Sequence, residues 1–399
     1  MGDTDLRAAS RTPVRATVRG ARHRSPRAPQ SRPTPATTTA PTIMAASSRK
    51  ITNVVLAVPL VGVGQVLLRT AAVGICGTDI EVLSGKRPGL YVRYPVVLGH
   101  EWSAIVVEVG PGVTGLRRGH RVVVAGLSGC GHCARCRDGQ PNLCQTRYEE
   151  IGFTSPGGLA GLLTVPADQV YAVPKPLNLD EAALLEPAAV VCEAITQLGD
   201  IRGARVAVVG DGTLGQLGVQ ASFASGAKAV SLIGLNPWRV ALARRFGAEA
   251  TVALESDRRI PEDILGSPDV VIETAGSADA VAVALKGSRR GGRVALIGLA
   301  GSGARLTVES DVFVLRAITV HGICGATPRS WQRALELAGQ GAFQLAPLIT
   351  HRFPMSEVGA AFRHVMHSTE DTLKVLIIAN VDEDAGKKTQ EPPSLAAPS

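Results

Sequence analysis

Arg205-Val-Ala-Val-Val-Gly-Asp-Gly-Thr-Leu-Gly-Gln-Leu-Gly-Val219 is the stretch that orders the rest of the chain. The apolar residues Val206 to Val209 predict a short buried strand. Gly210, Gly212 and Gly215 follow as G-x-G-x-x-G, with Thr213 and Leu214 inside the motif, and a helix-compatible run continues from Gln216 to Ala224. Each glycine has a mechanical task. The first permits the tight turn out of the strand, and the second lets a pyrophosphate approach bare backbone. The third lets the helix lie close to the sheet, so that its N-terminal amides face the phosphates. Glycine spacing alone fits any glycine-rich turn; the strand before and the helix after are the context a dinucleotide site needs.

The neighbouring segments agree. Ala229-Val-Ser-Leu-Ile233 predicts a second strand, and Pro237 to Phe246 a helix with proline in its first turn. Asp269-Val-Val-Ile-Glu273 and Arg293-Val-Ala-Leu-Ile297 predict further strands, with a helix from Ala278 to Lys286 between them. Strand–helix alternation of this kind implies parallel strands joined by right-handed crossovers, hence an α/β doubly wound sheet.

At 399 residues the chain has room for two domains. Aromatic residues are only 4%, so the core must be built from Val, Leu, Ala and Ile. No apolar run approaches the ~20 residues that span a bilayer, and a cytoplasmic protein is expected. The net charge of +8 is localised: nine arginines and Lys50, against Asp3 and Asp5, place the whole excess in residues 1–50. That segment is rich in Arg, Pro, Thr, Ser and Ala without hydrophobic period, so residues 1–49 are expected to be a disordered basic tail. A start at Met44 or an organelle transit segment would each account for it, and no nucleic-acid partner is expected. Residues 381–399 read as a second loose tail.

Four of the seven cysteines, Cys130, Cys133, Cys136 and Cys144, fall within fifteen residues. Four thiolates on a short Gly/Asp/Pro-containing loop can close around one tetrahedral zinc, and a shell of four cysteines is structural, not catalytic. Upstream, Val73-Gly-Ile-Cys-Gly-Thr-Asp-Ile80 offers a thiolate at Cys76, and Gly99-His-Glu101 offers an imidazole and a carboxylate. Two or three such groups brought together by the fold are what a catalytic zinc requires. Singly, each has a plainer reading: a cysteine in an apolar strand is usually core, and a histidine beside a glutamate usually lies in a loop.

Together these motifs resemble the zinc-dependent medium-chain dehydrogenases of the alcohol, polyol and threonine dehydrogenase branch. The resemblance covers about Ile51 to Ala379 and keeps the motif order: G-I-C-G-T-D, G-H-E, the four-cysteine loop, E-P at Glu186-Pro187, and the glycine motif. It implies a GroES-like, β-rich catalytic domain at 50–187 and 345–380, interrupted by a Rossmann domain at 188–344. It implies two zinc ions, NAD or NADP, and a homodimer or homotetramer. Cys76 and His100 are then catalytic zinc ligands, Glu101 ligates or stands behind them, and Glu186 is preferred to Cys192 as the further ligand. Thr78 matches the hydroxyl that passes the substrate proton along, and Asp79 orients this loop.

Three departures stand out. Glu81 occupies the position where relatives carry the outer histidine of the proton relay. Gly161 and Leu162 replace an acidic-aromatic pair. Gly234 stands where an NAD-preferring chain places an acid at the end of the second strand, while Arg239 could pair with a 2′-phosphate, which points toward NADP. The expected activity is hydride transfer between NAD(P) and a secondary alcohol or ketone, with a polyol, sugar or (amino)cyclitol as substrate. Simple secondary alcohols and threonine are the alternatives. A non-catalytic dinucleotide-binding sensor would be favoured by loss of Cys76, His100 or Glu186, and all three are present.

Overall fold

The structure is a computed structural model describing residues 17–18, 39–47, 50–253, 268–367 and 372–379. The first part of the chain supplies β1 (Thr39–Ser47), β2 (Lys50–Ala57), β3 (Gln65–Gly74), helix α1 (Gly77–Ser84), β4 (Glu101–Val109), β5 (Arg121–Val124), β6 (Leu162–Pro166) and β7 (Val170–Ala172). Helix α2 (Leu185–Leu198) leads into β8 (Arg205–Val209), α3 (Thr213–Ala224), β9 (Ala229–Gly234), α4 (Pro237–Arg245) and β10 (Ala250–Ala253). Then come β11 (Val270–Glu273), α5 (Ala278–Gly287), β12 (Arg293–Leu296), β13 (Thr319–Gly322) and α6 (Pro328–Gly339). The chain closes with β14 (Ile349–Pro354), α7 (Val358–His367) and β15 (Lys374–Ile378).

Strands β8 to β13 form one six-stranded parallel sheet in the order β10-β9-β8-β11-β12-β13. This is the doubly wound order, whose crevice opens between β8 and β11 where the winding reverses. Val206 to Val209 pair with Val230 to Ile233 on one side and with Val270 to Glu273 on the other. A central strand covered on both faces must be apolar throughout, and this one is buried from Val206 onward.

The second large sheet runs β7-β5-β4-β3-β15-β14, with β6 also paired to β3. Late strand β15 lies antiparallel to early strand β3, so residues after the inserted sheet complete the one begun before it. Helix α2 joins the two parts. It packs mainly on α6 and α3, and also touches β12, β4 and β5. The expected domain boundary at 187/188 therefore falls inside a helix.

The tail expectation needs correcting at one segment. Thr39–Ser47, assigned by composition to the disordered arm, forms β1, antiparallel to β2 and touching Val96–Val97 at Met44 and Ala45. Ile43 and Ala45 are buried, and the Ile43 amide donates to the Leu159 carbonyl at 2.8 Å. The cause is tertiary: alternate side chains small or apolar enough to cover the sheet, and backbone groups that find partners there. Thr17–Val18 also pairs, with Val113–Thr114. The rest of both expected tails lies outside the described residues.

Candidate active site

Cys76 sits where β3 gives way to α1. Its amide donates to Asp79 Oδ2 at 2.9 Å, and the Asp79 amide returns to the Cys76 carbonyl at 3.1 Å, which ties the thiol to the first turn of the helix. His100 and Glu101 enter at the start of β4, whose pairing with β3 sets Glu101 opposite Gly74. The ligating atoms of Cys76, His100 and Glu101 lie within 4.8 Å of one another. Asp79 Oδ1 is 3.4 Å from His100 Nδ1, which orients the ring and leaves Nε2 as its ligating atom. Burial opposes a charge on His100, but Asp79 and the Cys76 thiol outweigh it and hold the imidazole well above its ordinary pKa. A half-buried thiol gathered with a buried imidazole and a buried carboxylate fits a zinc ion.

Glu101 has a partner that sequence reading missed. Lys374 Nζ, from β15, meets Glu101 Oε2 at 2.6 Å and donates to the Ile75 carbonyl at 3.2 Å, and both side chains are buried. Burial works against the ammonium, yet Glu101 and then Cys76 raise the Lys374 pKa above the ordinary lysine value. The available signal was a lone lysine opening the apolar run Lys374-Val-Leu-Ile-Ile378.

Glu186, in the first turn of α2, stands outside the tight group of three. It keeps some surface open, while its carboxyl group is enclosed by protein. Burial raises its pKa to about 8; His100 and Lys374 oppose the shift, and Glu101 and Glu150 add to it. Cys192, the competing candidate, is packed in the core on the same helix, with its thiol pushed up to about 12 by burial.

Thr78 Oγ1 lies 3.5 Å from Cys76 Sγ, beside the site. Glu81 pairs with Arg87 Nη1 at 3.5 Å. The Arg87 guanidinium also reaches the Tyr148 hydroxyl at 3.4 Å and lies 5.0 Å from the centre of the Phe153 ring, whose own centre is 4.7 Å from that of His100. The Tyr148 hydroxyl donates to Glu150, which burial holds above the ordinary carboxylate pKa. Arg87, Tyr148 and Glu150 are therefore further polar groups beside the metal site; no motif marks them.

Cys130, Cys133, Cys136 and Cys144 offer sulfurs within 4.8 Å of one another. Backbone amides aim at them: Cys130 N lies 3.4 Å from Cys144 Sγ, and Cys133 N lies 3.3 Å from Cys130 Sγ. The Thr146 hydroxyl and amide draw Cys144 down to about 5, whereas desolvation among its neighbours pushes Cys136 up to about 11. Thiols crowded this closely with donors trained on them fit a tetrahedral cation that would ionise all four.

In the crevice, Gly210 follows β8, Gly212 caps α3, and Thr213, Leu214 and Gly215 form its first turn. A Cβ on Gly215 would fall 1.9 Å from the Gly210 carbonyl oxygen, so only glycine lets helix and strand approach this closely. At the far end of the crevice, Gly234 and Arg239 both adjoin Asp211, a residue the glycine motif leaves unspecified.

Comparison with known proteins points to one family. The alcohol dehydrogenase GroES-like domain matches residues 62–175, and the zinc-binding dehydrogenase domain matches residues 213–340. Sorbitol dehydrogenase of Bacillus subtilis is 30% identical over 345 residues, 84% of this chain and 96% of its own length. L-idonate 5-dehydrogenase of Vitis vinifera is 32% identical over 75% of this chain and 83% of its own. L-threonine 3-dehydrogenase of Bacillus velezensis is 29% identical over 76% and 89%. A solved zinc-binding dehydrogenase homologue from Sinorhizobium meliloti 1021, bound to NADP, superposes with a TM-score of 0.78 at 30% identity, covering 86% of this chain and 99% of that one.

Proposed function

We propose, for a chain that belongs to the zinc-dependent medium-chain dehydrogenases, the interconversion of a secondary alcohol and a ketone on a polyol, sugar or cyclitol. The carrying observation is the convergence of half-buried Cys76 with buried His100 and Glu101, Glu186 close by. Zinc held by these residues would lower the pKa of a substrate hydroxyl, and the nicotinamide would take up the hydride.

The chain's own groups do the rest. Asp79 fixes the Cys76 loop and the His100 ring, and Lys374 holds one oxygen of Glu101 so that its carboxylate keeps a single orientation. The Thr78 hydroxyl accepts the substrate proton and passes it outward. Glu81, in the place of a histidine and paired with Arg87, is the acceptor at the outer end. The carboxyl groups of Glu81, Glu150 and Glu186 beside the site offer hydrogen-bond partners that a hydroxyl-rich substrate can use. The sorbitol dehydrogenase among the relatives favours a polyol, and the L-idonate dehydrogenase favours a polyhydroxylated chain.

Among the described residues no helix is long and apolar enough to cross a membrane. We place the reaction in the cytoplasm, in a homodimer or homotetramer. The exposed Val314 and Leu315, just ahead of edge strand β13, support association through the inserted sheet.

The test is nucleotide reduction followed at 340 nm, with NAD and NADP offered separately to the zinc-loaded full chain against polyols, aldoses, cyclitols, simple secondary alcohols and threonine. Polyol or cyclitol turnover is expected, with Cys76→Ser binding one zinc fewer and losing at least ~100-fold in kcat/KM. Failure of every polyol and cyclitol with two zinc ions bound would sink the substrate assignment.

A further inference from the structure

Gly234 ends β9, and its lack of a side chain has a geometric cause. A Cβ built there would fall 2.4 Å from Asp211 Oδ2 and 2.7 Å from the Asp211 carboxyl carbon. Asp211, between the first two glycines of the loop, thus folds its carboxylate across the end of β9. It fills the space in which an acidic side chain at position 234 would be rooted.

That carboxylate is held firmly. Oδ2 accepts from the amides of Leu235 at 2.8 Å and Asn236 at 2.7 Å, and Oδ1 lies 3.6 Å from Arg239 Nη1. Arg239 Nη2 donates to the Thr372 carbonyl, so the guanidinium is drawn toward two acceptors already. Gln216 Nε2 braces the pair, donating to the backbone carbonyls of Asp211 at 3.2 Å and Arg239 at 2.7 Å.

We propose that Asp211 is the group that reads the adenosine ribose, supplied by the glycine loop instead of the second strand, and that it makes NAD the preferred nucleotide. The assignment rests on the dehydrogenase reading above. A carboxylate offers about four acceptor positions, and the contacts just described leave room for a ribose hydroxyl. A 2′-phosphate in the same place would set a dianion against a fixed carboxylate. Arg239, the cation that would have to compensate, already faces Asp211 and the Thr372 carbonyl. On this proposal the missing acid at Gly234 is a relocation that favours NAD, against the NADP expectation drawn from Gly234 alone and against the NADP bound by the Sinorhizobium meliloti homologue.

Isothermal titration of the zinc-loaded full chain with NADH and NADPH tests this without relying on turnover. The variant is Asp211→Asn, which keeps the shape and an acceptor for the two amides but removes the charge; Asp211→Ser serves if the first does not fold. Wild type is expected to bind NADH at least ~10-fold tighter than NADPH, and the variant to shift that ratio toward NADPH by about tenfold. Tighter binding of NADPH by wild type, or a ratio unchanged in the variant because Asp211 only pins the Leu235–Asn236 turn, overturns the assignment alone. Binding of neither nucleotide overturns the dehydrogenase reading and the assignment with it.

Discussion

At the level of single residues, the pair Glu101–Lys374 concentrates the highest risk. Both charges are buried and 2.6 Å apart. Removing one partner from such a pair strands the other, a loss of about 3–5 kcal/mol, far more than an exposed pair would show. Lys374→Met is therefore expected to lower unfolding free energy by that amount in urea, and an unchanged midpoint would show that Glu101 is satisfied elsewhere. Glu186 gives a pH prediction. Its folded pKa, about 8, lies above the ordinary carboxylate value, so the folded chain holds this proton more tightly than the unfolded one. Stability from that proton is fully present below the unfolded pKa and is lost as pH rises through about 8. Chelator-treated protein should weaken between roughly pH 5 and pH 9, and Glu186→Gln should flatten the slope; equal slopes would refute the account.

At the level of elements, legibility followed how local the cause was. Strands β8, β9, β11 and β12 each carry a short apolar run, and the crossovers between them supply helix signals, so pattern alone placed them. The four-cysteine cluster was equally plain, because a spacing of a few residues on one loop is itself a geometric statement. Lys374, Asp211 and the Arg87–Tyr148–Glu150 group were not legible as site residues. Each matters only through a residue far along the chain, and nothing in the chain's own spacing reports such a meeting. Strand β1 is the same case in backbone form: Thr-Ala-Pro-Thr-Ile-Met-Ala-Ala-Ser looks like tail until β2 and Val96–Val97 lie beside it. A chain begun at Met44 lacks Ile43, whose burial is worth about 1.5–3 kcal/mol. It should melt measurably below a chain begun at Thr39, and equal melting temperatures would mean that β1 contributes no stability.

At the level of the whole molecule, two sheets of different construction are joined through shared apolar packing, and α2 lies within it. The exposed Phe313, Val314 and Leu315 lie on the inserted domain's outer edge. Val314→Asp is expected to shift the species seen by analytical ultracentrifugation toward monomer without changing zinc content. A distribution identical to wild type would place the contact between copies elsewhere.

Helix α2 has a mechanical consequence. Its first turn carries Glu186, and two turns later Glu193 accepts hydrogen bonds from Thr327 and Ser330 at the start of α6, both at 2.6 Å. The helix is thus clamped to the nucleotide half of the molecule, whereas Cys76, His100 and Glu101 are mounted on the other. Its only proline, Pro187, lies in the first turn, where it leaves the rod straight. A change of angle between the halves along this crossing would bend the chain ahead of Leu185, outside the straight helix, and would move Glu186 at its tip. Any rocking set off by nucleotide would be felt at the metal as a change in the reach of one carboxylate.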